Sequence, residues 1–142
     1  MKITLLGSMH FSTEMIHVKS QLEKMGHSVS IPEDMHECFI NQETNTASGR
    51  DYEKELKYCI EKSLLKDAMK KIEKSDAVLV LNYTKNDIEG YIGASVLMGL
   101  GLAFYLEKKI FLLNEVDKTQ KYALEVNLTR PVVLGGDLGK IG

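Results

Sequence analysis

The sequence contains little arginine, and its positive charge is not gathered in one place. Arg50 and Arg130 are the two arginines among 142 residues, the formal net charge is −2, and no basic stripe is present. Binding to duplex nucleic acid requires clustered lysine and arginine that neutralise phosphates. We therefore expect no nucleic-acid partner, and a bound phosphate would have to be held largely by backbone N–H groups and hydroxyls.

Cysteines and long apolar runs are also scarce. Cys38 and Cys59 give no disulfide framework, so we expect reduced thiols in a cytoplasmic protein. The apolar start at residues 1–7 is too short for a signal peptide. The longest uncharged stretch, residues 90–106, carries four glycines and falls short of a membrane span, so no membrane association is expected.

What is present fits a single globular domain over residues 1–142. The composition, 44% apolar and 27% charged, is ordinary for a chain with one hydrophobic core. Short apolar runs that predict buried strands alternate with apolar spacings of three and four that predict helices. Strands are predicted at 2–6, 27–31, 77–81, 110–113 and 132–134, and helices at 11–25, 51–73, 93–106 and 117–127. The helical pattern over 51–73 leaves room for a short break.

This alternation predicts an α/β fold, namely a flavodoxin-like or Rossmann-like three-layer sandwich with a five-stranded parallel sheet in the order 2-1-3-4-5. In such sheets ligands bind beyond the carboxyl ends of the strands, at the switch point between the first and third strands. That rule nominates the residues that follow these two strands and those that open the next helix. They are Gly7, Ser8, Met9, Asn82, Tyr83, Gly93, Ala94 and Ser95.

The nominated residues suit contact with a sugar or a phosphate. Gly7 lets a ligand approach the backbone and the Ser8 hydroxyl can bond its oxygen atoms, although an ordinary strand-to-helix turn would explain both residues. Free N–H groups at the helix start near Gly93 attract anions, and Ser95 is either a ligand contact or a helix cap.

Two glycines stand inside the apolar helix that follows. Gly99 and Gly101 each cost roughly 1 kcal/mol of helix stability, so they either let another element pack closely or mark a side chain that is missing. Gly99 lies one turn beyond Ser95 and faces the same line. Because this helix has no polar face, we expect cover on both sides, either by a second subunit or within the core of one chain.

Three other possibilities carry less weight. His36–Cys38 could bind a metal only with partners from elsewhere in the chain, so neither a metal nor another cofactor is expected. A flavodoxin binds the phosphate of FMN with a hydroxyl-rich loop after its first strand. The only hydroxyl residues that match such a loop here are Ser8, Ser12 and Thr13, so FMN binding is a less favoured alternative. The polar segment 33–50 is either a functional loop or a disordered insertion.

Several segments of the chain carry a family resemblance. They are Lys2-Ile3-Thr4-Leu5-Leu6-Gly7-Ser8, Ser75 to Asn82, Tyr91 to Ser95 continuing through Gly101-Leu102-Ala103, and Lys109 to Leu113. Together they resemble the nucleoside 2-deoxyribosyltransferase-like superfamily, which includes the deoxynucleoside 5′-monophosphate N-glycosidases. The resemblance implies the flavodoxin-like sheet, assembly as a homodimer or larger oligomer, and chemistry at the bond between base and deoxyribose.

The resemblance also implies which residues would act. In that family a glutamate in the helix after the third strand attacks the anomeric carbon, which divides one displacement into two steps. The family phrase Glu-x-Gly-x-Ala falls on residues 99–103, so Gly99 occupies the nucleophile position. An acidic or histidine residue common in the preceding helix falls on Ala68, with Asp67 one step away. What remains is a binding frame of Gly7, Ser8, Asp76, Asn82, Gly93 and Ser95.

Two functions of different class stay open for a small-molecule nucleoside or nucleotide ligand. In the first, the chain is an active N-glycosidase or deoxyribosyltransferase that uses Asp87 or Glu89 as a substitute nucleophile. In the second, it is a catalytically inactive relative that binds the ligand as a sensor or subunit. Losing a nucleophile costs an enzyme orders of magnitude in rate, so Gly99 favours the second function, whereas the family resemblance favours the first.

Overall fold

The structure is a computed structural model that describes residues 1–31 and 52–142, apart from the side chain of residue 55. The segment 33–50, with its two proposed roles, and the His36–Cys38 motif lie outside the described residues.

Parallel strands form one sheet through the middle of the molecule. They are β1 (Lys2–Leu6), β2 (Ser28–Ser30), β3 (Ala77–Val80), β4 (Lys109–Leu112) and β5 (Val132–Val133). Their order across the sheet is β2-β1-β3-β4-β5, which confirms the predicted topology. Leu6 pairs with Val80, and Val80 pairs with Leu112, so the carboxyl ends of β1, β3 and β4 meet at one edge.

Helices cover both faces of this sheet and complete the predicted three-layer sandwich. They are α1 (Ser12–Lys24), α2 (Tyr52–Glu61), α3 (Leu64–Glu73), α4 (Ala94–Tyr105) and α5 (Ala123–Leu128), with short 3-10 turns at Met9–Phe11 and Leu138–Lys140. On one face α1 buries Met15 and Leu22 against the strands. On the other face α3, α4 and α5 contribute Ile72, Leu100 and Val126. The continuous apolar runs of the strands follow from this double cover, and all four residues of β3 are buried.

The helical pattern over 51–73 forms two helices with a short break between α2 and α3. Ser63 adopts a left-handed backbone with φ of 54° and ends the first helix. Beyond the break Leu64 is buried, whereas Ile60 on α2 is 66% exposed. The four-residue apolar repeat continues across the break, so periodicity alone could not locate it.

The helix predicted over 117–127 begins only at Ala123. The Asp117 Oδ1 atom accepts hydrogen bonds from the Thr119 N–H and the Thr119 hydroxyl, each at 2.9 Å, and these bonds form a turn. Tyr122 then adopts a left-handed backbone with φ of 75° immediately before the helix. The polar turn therefore occupies the residues that the apolar spacing assigned to the first helical turns.

Two further expectations can be compared with the structure. Cys59 is disulfide-bonded, which contradicts the expectation of reduced thiols; Cys38 lies outside the described residues. Disulfide formation depends on how close two Cα atoms come in the fold, and cysteine counts give no such distance. Over the described ranges, no helix is both long and apolar enough to cross a membrane. A cytoplasmic location stays a prediction.

Candidate ligand-binding cleft

A cleft of about 300 Å³ opens beyond the carboxyl end of β1, between α3 and the start of α4. This is the place where ligands bind in sheets of this topology. The cleft brings together six of the predicted residues: Gly7, Ser8, Met9, Gly93, Ala94 and Ser95. Its volume lies at the lower end of the range found for small-molecule sites.

The turn after β1 offers a hydroxyl at the edge of the cleft. The Ser8 Oγ atom accepts a hydrogen bond from the His10 N–H at 3.2 Å and another from the Lys85 Nζ at 2.9 Å. Both bonds use oxygen lone pairs, so the hydroxyl hydrogen is left to donate to a ligand. A Cβ atom on the preceding Gly7 would lie 3.3 Å from the Leu81 carbonyl oxygen, so glycine is the residue that fits the turn without displacing backbone.

The connection between β3 and α4 forms a structured arm (residues 83–92) that the sequence reasoning missed. Lys85 and Ile88 exchange backbone hydrogen bonds of 3.1 and 2.9 Å. Between them Asn86 and Asp87 have φ values of 52° and 60°, as a tight two-residue turn requires. Because asparagine and aspartate tolerate that backbone, the Asn-Asp pair was the sequence signal available for the turn that precedes the cleft wall.

The arm is fixed from outside by the side chain of Gln120. The Gln120 Oε1 atom accepts a hydrogen bond from the Ile92 N–H at 2.6 Å, and the Gln120 Nε2 atom donates to the Gly90 carbonyl oxygen at 3.0 Å. Tyr91, which lies between these two contacts, lines the cleft. A second backbone bond, from the Tyr91 N–H to the Tyr83 carbonyl oxygen at 3.2 Å, closes the arm on itself.

The charged side chains among the described residues that line the cleft are lysines. Lys71 and Lys85 line it, and none of its lining residues in the described part of the chain is an aspartate or a glutamate. Asp87 and Glu89, the candidates for a substitute nucleophile, are exposed and do not line the cleft. The hypothesis of an active glycosidase therefore finds no carboxylate among the described lining residues.

The resembled family has ionisable side chains at two positions that correspond to residues 68 and 99 of this chain. Both positions line the cleft, and neither has an ionisable side chain in this chain. Gly99 lies on α4 and Ala68 on α3. A Cβ atom at position 99 would lie 3.0 Å from Leu6 Cδ1 and 3.3 Å from Ile72 Cδ1. These neighbours are the ends of flexible side chains, so a larger residue at 99 requires them to shift without moving the backbone.

Asp76, a member of the predicted binding frame, lies at the opposite edge of the sheet. Parallel strands place their amino ends together, and Asp76 precedes β3. Its Oδ2 atom accepts a hydrogen bond from the Lys2 N–H at 2.8 Å. That bond lowers the pKa of the Asp76 carboxyl below its ordinary value, and the positive charges of the N-terminus, Lys2 and Lys108 add to the effect. Asp76 therefore fastens β1 to β3 and does not line the cleft.

The lowered pKa of Asp76 predicts a pH effect on stability. A carboxyl whose pKa is depressed in the folded state stabilises the fold above its unfolded pKa, and this stabilisation is lost as the pH falls through the folded pKa. We expect Asp76→Asn to unfold more easily than the natural chain at pH 7 and to show a smaller deficit at pH 3. Urea denaturation at both pH values measures this, and a deficit that does not change with pH would contradict it.

Asn82 and Tyr83 follow β3 as predicted but are not among the residues that line the cleft. The Asn82 side chain is fully buried and hydrogen-bonds the backbone of Asn114, which joins the ends of β3 and β4. The ring of Tyr83 packs edge-on against Phe11, with centroids 5.1 Å apart, beside the core on the α1 face. Asn82 and Tyr83 therefore stabilise the fold. The residues of the arm that line the cleft are Lys85 and Tyr91, which come later in the chain.

Comparison with known proteins shows a likeness of fold. No protein-family model matches the chain, and no curated protein matches it. A solved structure of a 2-deoxyribosyltransferase from the psychrotolerant bacterium Bacillus psychrosaccharolyticus is similar, with a TM-score of 0.58 and 16% identity. The match covers 91% of this chain and 82% of that chain, and that enzyme is described as a biocatalyst for synthesis of antiviral and antitumoral nucleosides. At this identity the likeness shows a shared fold.

Proposed function

We propose that this chain binds a nucleoside or nucleotide in the cleft and does not cleave its N-glycosidic bond. The observation that carries the proposal is the composition of the cleft. Its edge has residues suited to sugar and phosphate contact, yet no carboxylate is found among its described lining residues. The fold likeness to a 2-deoxyribosyltransferase supports a nucleosidic ligand.

The cleft offers different surfaces to the two ends of such a ligand. Ser8 and the backbone at the start of α4 would hold oxygen atoms of the sugar or phosphate. Leu65, Met69 and Met98 provide apolar wall for the base. A few polar groups in a largely apolar pocket are the usual arrangement at small-molecule sites.

The absence of ionisable side chains at Gly99 and Ala68 supports binding without cleavage. Displacement at an anomeric carbon uses one carboxylate as nucleophile or base and a second acidic group as proton donor. The lysines of the cleft do not replace a carboxylate nucleophile. A role as a nucleotide sensor or as a subunit of a larger assembly follows from binding of this kind. The FMN alternative gains no support, because Ser12 and Thr13 belong to α1 and do not line the cleft.

Isothermal titration calorimetry tests the proposal with a variant that fills the cleft. Ser95→Trp adds a bulky side chain at the helix start that lines the cleft, while Ser20→Trp makes the same exchange at an exposed position of α1 that does not line the cleft. We expect the natural chain and Ser20→Trp to bind nucleosides or their 5′-monophosphates and Ser95→Trp to lose at least about tenfold in affinity. Equal binding by all three proteins would place the ligand elsewhere, and no binding by any would overturn the proposal.

We also propose that two copies of the chain associate through the outer face of α4. The twelve residues Ala94–Tyr105 include no charged residue. On the outer side Phe104 is 54% exposed and Tyr105 is 82% exposed. The neighbouring helix α5 adds Leu124 and Leu128, which are 70% and 64% exposed. An uncharged surface of this kind is typical of contacts between copies of one chain.

Light scattering after size-exclusion chromatography tests this association. We expect the natural protein to have twice the 16.0 kDa mass of one chain or more, and Tyr105→Glu to have the mass of one chain, because it places a charge in the contact. Ile16→Glu is the matched control, since Ile16 is 61% exposed on α1, at the other face of the sheet. A natural protein with the mass of one chain would contradict the proposal.

A further inference from the structure

The arm places a cationic side chain against the hydroxyl that follows β1. The Lys85 Nζ atom donates to the Ser8 Oγ at 2.9 Å and lies 5.3 Å from the centroid of the Tyr91 ring. An ammonium group has three N–H bonds, so donation to one oxygen leaves others for a ligand. The face of the aromatic ring attracts the ammonium group and helps to hold it at this position.

Among the described residues, no acidic side chain forms an ion pair with Lys85. Lys71, the other charged residue among the described lining residues of the cleft, is also cationic, and its Nζ donates to the Ile31 carbonyl oxygen at 2.9 Å. The first turn of α4, which lines the same cleft, carries no acidic residue. A positive cleft without a lining carboxylate favours a ligand that supplies the negative charge itself.

We infer that Lys85 makes the cleft select the phosphorylated form of its ligand, a nucleoside monophosphate, over the neutral nucleoside. This inference rests on the proposed function, since it names which of the two ligand classes the same cleft prefers. In the complex, Lys85 donates from its ammonium group to a phosphate oxygen, and Ser8 donates its hydroxyl hydrogen to the same group. The backbone N–H groups that open α4 line the same cleft and add further donors.

The contact between Lys85 and Ser8 also gives a role to the fixed conformation of the arm. Lys85 begins the tight turn through Asn86 and Asp87, and Gln120 fixes the later part of the arm at Gly90 and Ile92. A cation that is already positioned against Ser8 loses little freedom when the ligand binds. Lys85 is thus a specificity-determining residue placed by backbone geometry and not by a sequence motif.

Calorimetry with Lys85→Met tests the inference against a control of the same chemistry. Lys121 also lies over a tyrosine ring, Tyr122, at 5.3 Å, but it does not line the cleft. The ligands are a deoxynucleoside, its 5′-monophosphate and inorganic phosphate. Charge-assisted bonds of this kind predict that the natural chain and Lys121→Met bind the monophosphate at least about tenfold more tightly than the nucleoside. In Lys85→Met that ratio should fall towards one, and Lys85→Arg should restore most of it.

Each other outcome has a distinct meaning. If the nucleoside and the monophosphate bind equally well, or if the preference survives in Lys85→Met, the inference about Lys85 is wrong while the proposed function stands. If neither nucleosidic ligand binds but inorganic phosphate binds in a Lys85-dependent manner, the anion site stands and the nucleoside proposal is wrong. If nothing binds to a folded natural chain, both are overturned. Circular dichroism of each variant distinguishes lost binding from lost folding.

Discussion

Asn82→Asp will lower the free energy of unfolding by about 3 kcal/mol or more at pH 7, although the two side chains have nearly the same shape. The Asn82 side chain is fully buried. Its Nδ2 atom donates to the Asn114 carbonyl oxygen at 2.6 Å, and its Oδ1 atom accepts from the Asn114 N–H at 2.9 Å. An aspartate keeps the acceptor but places a second oxygen, with a negative charge, against the carbonyl. A buried charge without a partner is among the most costly changes in a protein.

The same substitution has a pH signature that identifies its cause. The carboxyl would be destabilised in its charged form, so its pKa in the folded state would rise above the unfolded value. The deficit is then largest above that folded pKa and shrinks as the pH falls and protonation restores a donor. Urea denaturation of Asn82→Asp between pH 7 and pH 4 measures this. Asn127→Asp on the exposed surface of α5 is the matched control. A deficit at position 82 below about 1 kcal/mol would show that this bond pair contributes little.

Gly90→Ala will destabilise the fold by about 2–4 kcal/mol, through a combination of backbone strain and a steric clash. Gly90 has a positive φ of 64°, and a Cβ atom there would come far inside van der Waals contact with the Glu115 carbonyl oxygen. That oxygen belongs to the backbone and cannot swing away. Because Gly90 precedes Tyr91 in the arm, we expect the substitution to weaken ligand binding as well.

Gly26→Ala separates the two contributions. Gly26 also has a positive φ, 95°, but no atom lies within 4 Å of where its Cβ would be. Its substitution should cost only the backbone term, roughly 1 kcal/mol. Denaturation of the two variants side by side gives the steric contribution as a difference, and equal costs at both glycines would contradict the close packing of the arm against Glu115.

Much of the fold could be predicted because its signals are local and repeated. The apolar run before Gly7 and the run of residues 77–81 have the length and continuity of buried parallel strands, and both are strands in the structure. Alternation of strands and helices then leaves few ways to order the sheet. The break at Ser63 could not be located from the sequence, because a left-handed residue other than glycine leaves no mark in apolar periodicity.

The candidate cleft was predicted in part, and the failures have physical reasons. Gly7 and Ser8 were placed correctly because they directly follow a strand at the binding edge. Asp76 entered the frame through a family resemblance, yet it precedes β3 and must lie at the other end of the strands. Lys85 and Tyr91 were missed because their positions depend on a turn whose geometry is set by two residues with positive φ.

Saturation-transfer NMR of a deoxynucleoside 5′-monophosphate, followed over time in the presence of the natural chain, tests the central claim most directly. The ligand's own signals report binding through transferred saturation and cleavage through loss of the anomeric proton signal. The account predicts saturation transfer to the base and sugar protons with an anomeric signal that stays constant. Release of free base by the natural chain would contradict it and would require a nucleophile that the described lining of the cleft does not contain. Absence of any transfer would contradict the binding claim itself.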